Sequence, residues 1–298
     1  MQTFRISVVF ILFIQIVFFE QAVYAAVSAL DAEENQITLQ KPAQRIISLA
    51  PHITEMLFAA GAGDKIVGTV SYSDFPEQAK SIPLIGSYNR FDLEKILALQ
   101  PQLIVNWASG NPKQSLAKLK QQGIPLFISE PRTIEDIFYE IQALAKLTDT
   151  NVIANKNLQN YKKHYQRLKT KYQTNKKLTV FYQVWDRPLM TVNGQHLISQ
   201  VIELCGGKNV FHAIETLVPQ VDMEAVLLTN PQIILTSTKP GQDENWKKLW
   251  TRWQHLPAVK NQQLFAIPGD LISRHTPRIL QGAEIICQHI YRARSIYR

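Results

Sequence analysis

Cysteine is nearly absent: Cys205 and Cys287 are the only two in 298 residues, and no histidine stands three or four positions from another. That scarcity excludes the usual zinc spacings, which need paired Cys or His ligands a few residues apart, and no metal site is expected. Nothing supports a lipid-anchored N-terminus either, because no cysteine lies near residue 25. G-x-S-x-G, H-E-x-x-H, a P-loop and a G-x-G-x-x-G following a strand are all missing, so the common hydrolase, metalloprotease and nucleotide-binding signatures are excluded. Gly61-Ala62-Gly63 closes a predicted helix rather than opening one, which disqualifies it as a phosphate loop.

What remains is an ordinary soluble composition, 46% hydrophobic and 19% charged, with no sign of disorder. The length favours about two domains. Arg5, the apolar run from Ile6 to Phe19 and the small residues through Ala29 form a secretory signal peptide, residues 1–25, cleaved near Ala25. Its apolar core falls short of the roughly 20 residues of a membrane span, the alternative being an uncleaved anchor. Export into an oxidising compartment lets Cys205 and Cys287 form a disulfide, with two buried thiols as the alternative.

The net charge of +8 survives loss of the signal, since Arg5 and Glu20 cancel. Much of it lies between Asn151 and Lys177, where Leu158, Tyr161, Tyr165, Leu168 and Tyr172 step by three and four through a basic, helix-forming stretch. That pattern is one packed stripe on a long surface helix. In an exported chain without a binding motif it does not point to nucleic acid.

Two segments 130 positions apart read alike: LEKILALQPQLIVN (Leu93 to Asn106) and MEAVLLTNPQIILT (Met223 to Thr236), with five of fourteen positions identical. Each has a short helix with an acid in its first turn, a proline, then an apolar run of the kind that forms a buried parallel strand. Around them helices and strands alternate, with strands predicted at 36–39, 45–49, 65–69, 125–129, 178–184, 233–235 and 264–267. Helices are predicted at 53–60, 114–122, 133–147, 194–204 and 277–292. The fold class is therefore α/β: two Rossmann-like α/β lobes, 45–150 and 178–298, joined by a single long rigid helix over 151–177. Such a helix would run nearly 40 Å at 1.5 Å per residue, enough to brace both lobes.

In open parallel sheets, ligands bind at the carboxyl ends of the strands. Pro51 and His52, Tyr72 and Asp74, Tyr88, and Trp107 all fall at predicted strand ends or in the loops after them, and suit a bulky, ring-rich ligand. Asp270 and Arg274, between the last strand and the last helix, face the same crevice from the other side or form a local ion pair.

With RIISLAPHITEMLFAAGAGDKIVG, SYSDFP, LEKILALQPQLIVNW, VIELCGGKNVF and TPRI in view, the chain resembles the periplasmic cobalamin-binding proteins of ABC importers, over nearly all of its mature length. The wider family includes siderophore and haem binders of the same class III substrate-binding fold. The resemblance implies a non-enzymatic periplasmic receptor, working as a monomer and without a cofactor of its own. Its transported ligand would be cobalamin or a related corrinoid, and its partner an inner-membrane ABC permease with its ATPase. It places Tyr72, Tyr88 and Trp107 against the corrin from the first lobe and Asp270 and Arg274 from the second, with Pro51 and His52 near the rim. Glu94 and Glu224 correspond to acids that dock on permease arginines, one per lobe. The chain departs from that pattern at Tyr88 and Val218, where the family carries Trp, and at Leu189 or Met190, where an aromatic is expected after Pro188. A smaller or differently substituted corrinoid fits those changes, as does another large chelate with His52 or His275 as axial ligand. The alternatives are a ferric siderophore or haem receptor and, from another class, an exported enzyme.

Overall fold

Residues 26–238 and 244–297 are described in the computed structural model; the signal-peptide reading falls outside them. Four strands build the first sheet: β1 (Ile46–Ser48), β2 (Ile66–Gly68), β3 (Leu103–Trp107) and β4 (Leu126–Ser129), parallel and in the order β2-β1-β3-β4. Four more build the second: β5 (Leu178–Gln183), β6 (Gly207–Asn209), β7 (Ile233–Thr238) and β8 (Leu264–Pro268), parallel and in the order β6-β5-β7-β8. The two orders are the same order. The centres of β3 and β7 are covered on both faces, Leu103, Ile104 and Val105 as fully as Ile233, Ile234 and Leu235, which is why both read as unbroken apolar runs.

The sequence repeat maps onto this symmetry. Helix α2 (Leu93–Ala98) leads into β3 and α7 (Met223–Thr229) into β7, so the repeat supplies the third strand of each lobe. Both helices stop before their proline, through a residue in the left-handed region: Gln100 at φ 45° and Asn230 at φ 48°. The following proline disfavours the helical conformation in that residue, and the chain turns there instead.

The remaining named helices are α1 (Pro51–Ala59), α3 (Lys113–Gln121), α4 (Ile134–Thr148), α5 (Asn151–Tyr172), α6 (Leu197–Leu204) and α8 (Ile279–Ala293). Helix α4 begins with a reciprocal cap between Thr133 and Asp136. At 22 residues α5 is about 33 Å long, and it lies against α1 and α4 of the first lobe and α6 and α8 of the second. Ala154, Leu158, Leu168 and Tyr172 are its buried stripe, in one apolar cluster with Ile141 and Ile286, so the lobes share a core behind the sheets. The helix stops five residues short of the expected Lys177. The Thr174 hydroxyl accepts a hydrogen bond from the Lys176 amide at 3.2 Å, a local turn that competes with helix. A disulfide joins Cys205, at the end of α6, to Cys287 in α8.

Three further differences follow from local chemistry. The strand expected around Gln36 has a partner, Val27–Leu30, and this hairpin packs on α4 beside the first lobe. Helix α6 begins at Leu197 rather than Gly194, because the His196 imidazole accepts the Ile198 amide and caps it. Past β5 the chain makes an unanticipated hairpin, Trp185–Asp186 against Leu189–Met190, turning at Arg187-Pro188.

Candidate functional site

In each lobe the first and third strands in chain order are neighbours, with the second strand outside the first. Connections therefore leave in opposite directions from that central pair, opening a crevice at its carboxyl end. In the first lobe the crevice lies at the ends of β1 and β3. Pro51, half-buried, opens α1 there, and His52 follows with only 8% of its surface exposed. The His52 ring meets the edge of Trp107, centroids 5.3 Å apart, and Tyr88 lies 5.7 Å from the same indole.

Asn111 holds this cluster. Its amide donates to the carbonyls of Leu49 (2.9 Å) and Tyr88 (2.7 Å), and its Oδ1 accepts the Trp107 amide at 2.6 Å. Gly110 leaves room for the indole, since a Cβ there would stand 1.9 Å from the Trp107 ring. Tyr72, beyond β2, is 72% exposed and sits at φ 68°, a region unfavourable for a bulky side chain. The loop is pinned from beneath by buried hydroxyls: Ser48 to Thr54 (2.8 Å), Thr54 to Thr69 (2.7 Å) and Thr69 to Ser73 (2.8 Å).

The equivalent place in the second lobe, between the ends of β5 and β7, is a cavity of about 660 Å³ lined by Gln183, Trp185, Thr236, Thr238 and Trp246 among others. Trp185 is 59% exposed, and its indole N–H donates to the Arg187 carbonyl at 3.0 Å. Met190, half-buried, is its cross-strand partner. Trp250, fully buried beneath, donates to the Gln183 side chain at 2.8 Å.

Arg274 reaches across the lobes. Its guanidinium meets Glu55 (3.0 Å) and Asp74 (2.8 Å) of the first lobe and Asp270 (3.0 Å) of its own, and its side chain is only 14% exposed. Arg278 holds Glu55 with two further bonds, 2.8 and 2.6 Å, and covers the Phe75 ring at 4.0 Å. Partial burial pushes the Asp74 carboxyl up, but the Arg274 hydrogen bond and charge outweigh it and hold it below its usual value. Beside this network three imidazoles line up: His52, His275 at 6.5 Å, and His196 a further 5.8 Å away. Burial, reinforced by His275 and Arg274, lowers His52 to about 3, and burial with His275 lowers His196 to about 4, so both are neutral at pH 7. His275 is also lowered by burial and sits 2.8 Å from the Pro131 carbonyl through Nδ1. The His52 Nε2 has no partner among the described residues.

Of the residues singled out from sequence, Pro51, His52, Tyr88 and Trp107 converge on one crevice, with Tyr72 exposed on a pinned loop beyond the neighbouring strand. Met190 belongs to the opposite lobe, and Asp270 and Arg274 form the local ion pair that the sequence left open. Arg274 also carries an inter-lobe contact that the sequence did not indicate. Glu94 and Glu224 are exposed second residues of α2 and α7, equivalent positions in the two lobes. Sequence reading missed Glu55, Asn111, Trp185, Trp246 and His196. Trp185 follows a predicted strand as Trp107 does, and Glu55 interrupts the apolar run of a predicted helix; both signals were present. Among the described residues no group of three or more His, Cys, Asp or Glu side chains is placed to hold a metal ion.

Two like α/β lobes, each with a crevice at its switch point and sharing a core behind, define a two-lobed solute-binding fold. The chain belongs to the periplasmic binding protein family, whose profile matches residues 46–271. It is 38% identical over 250 residues to the vitamin B12-binding protein of Vibrio parahaemolyticus, covering 84% of this chain and 90% of that one. Against the crystal structure of the periplasmic vitamin B12 binding protein BtuF of Vibrio cholerae the TM-score is 0.77 at 39% identity, covering 85% of this chain and 98% of the other. The periplasmic heme binding protein HutB of Vibrio cholerae, at 23% identity and TM-score 0.73 over 83% of this chain and 99% of that one, shares the fold. These relatives are named as binding proteins, not enzymes.

Proposed function

We propose that this protein is a periplasmic receptor that captures cobalamin or a related corrinoid between its lobes and hands it to an ABC permease, with no chemistry performed on the ligand. The observation that carries the reading is the pair of ring-lined crevices at equivalent switch points, Tyr88 and Trp107 in one lobe and Trp185 with Met190 in the other. Flat aromatic faces bury a large macrocycle without demanding many polar contacts. Similarity to vitamin B12-binding proteins at 38 and 39% identity supports the same ligand. A corrin is fringed with amides, and Asp270, about half exposed, keeps a carboxylate oxygen to accept from one. Pro51 and His52 close the floor of the first crevice, and Tyr72 covers it from the side. Arg274 serves the site by holding Asp270 and the lobes rather than by meeting the ligand with its full set of donors. Residues 1–25 direct export and are removed near Ala25. The mature protein acts as a monomer, presenting Glu94 and Glu224 to the two halves of a permease.

Titration followed by tryptophan fluorescence tests this reading. Cyanocobalamin is expected to quench the signal at near-stoichiometric concentration, whereas haem leaves its Soret band unshifted. Saturable haem binding with no response to cyanocobalamin overturns the corrinoid reading.

A further inference from the structure

The second-lobe cavity has a charge that the ring-binding reading does not use. Besides its tryptophans it is lined by Arg187, Lys248 and Arg252, while Asp186 is the one acid among the described lining residues. None of the three cations makes an ion pair among the described residues, and all three are exposed. Arg252 lies over the Trp253 ring at 5.2 Å, a contact that orients a guanidinium without neutralising it. Arg187 stands at the turn of the Trp185 hairpin, where its backbone carbonyl accepts the indole N–H and holds the ring beside the turn that carries the cation. The arginines of the Glu55 network form a contrast: Arg274 is paired with three carboxylates and Arg278 with one.

We propose that this cavity is an anion-recognising subsite that takes a phosphate diester on the ligand, Arg187 and Arg252 contacting it with Lys248 behind them. The inference rests on the corrinoid reading and sharpens it. The corrin periphery carries neutral amides, and the one anionic substituent of a complete corrinoid is the phosphodiester of its nucleotide loop. A macrocycle lying between the lobes with that loop toward β5 and β7 places the diester among these cations, where Arg offers paired N–H donors and Lys a point charge. The receptor therefore selects complete corrinoids over cobinamide, which lacks the nucleotide loop.

Dissociation constants for cyanocobalamin and dicyanocobinamide, measured by calorimetry on the mature protein and on the Arg187→Gln/Arg252→Gln variant, test this. The expected result is that cobalamin binds about tenfold or more tighter to the unaltered protein, and that the double substitution removes most of this difference while leaving cobinamide affinity unchanged. Raised salt is expected to weaken cobalamin more than cobinamide, a second measurement that needs no variant. Equal affinities for the two corrinoids, or a variant that weakens both alike, overturns the subsite while the corrinoid reading stands. If neither corrinoid binds, the ligand reading and the subsite fall together.

Discussion

Asn111 shows how much of an aromatic cluster depends on one buried amide. It makes three hydrogen bonds to three separate backbone segments, those of Leu49, Tyr88 and Trp107. Asn111→Ala strands buried partners and is expected to lower stability by about 1–3 kcal/mol in urea unfolding. Trp107→Ala removes the indole itself, and cyanocobalamin affinity is expected to weaken by about 1–3 kcal/mol; an unchanged dissociation constant removes Trp107 from the pocket. Glu140 provides a pH signature. Burial raises its carboxyl to about 7, against the hydrogen bonds donated by Ser129 and the Glu130 amide, and its ordinary value is 4.5. A folded value above the unfolded one means the folded state binds more protons, so this contribution is present below pH 4.5 and lost as pH rises to 7. The melting temperature of the native protein is expected to fall relative to that of Glu140→Gln across this window. The neutral histidines act the other way but equally in both proteins, so the difference isolates Glu140.

At the scale of elements, the repeat does two things with one pattern. Its apolar half becomes the strand beside the crevice, and its acidic half opens an exposed helix at the same height in each lobe. Glu94→Ala with Glu224→Ala is expected to abolish uptake in a transport assay while leaving the dissociation constant unaltered. A fall in affinity would falsify the docking role. Helices α6 and α8 are tied by the disulfide across 82 positions. Replacing Cys205 and Cys287 with serine is expected to cost roughly 4 kcal/mol in equilibrium unfolding by the loop-entropy argument, mainly through the unfolded chain.

At the scale of the molecule, the lobes meet through a shared apolar core behind and a charged clasp in front. Glu55 is the centre of the clasp, its side chain 3% exposed between two guanidinium groups. Glu55→Gln removes the charge both arginines face, and the expected loss is about 3 kcal/mol in urea unfolding. Asp74→Asn, on the solvent side of the same network, is expected to cost less than about 1 kcal/mol. Similar losses for the two would show that burial does not set the strength of the clasp.

Much of this was legible in the chain. The 3.6-residue stripe of α5, the apolar runs of β3 and β7 and the signals at Pro101 and Pro231 are local properties, carried by a dozen neighbouring residues and independent of what lies across the molecule. They determine two similar α/β lobes, a long bracing helix and the strand ends where Tyr88 and Trp107 stand. The contacts that shape the site are not local. Arg274 and Glu55 are 219 positions apart, His275 and Pro131 144, and Asn111 and Leu49 62. Each side chain taken alone is an ordinary polar residue on a helix or loop, and the sequence does not say which distant partner will desolvate it. Only packing the two lobes on a common core turned Arg274 from the partner of a neighbouring Asp270 into an inter-lobe clasp, and left Arg187, Lys248 and Arg252 as the open charges of the crevice.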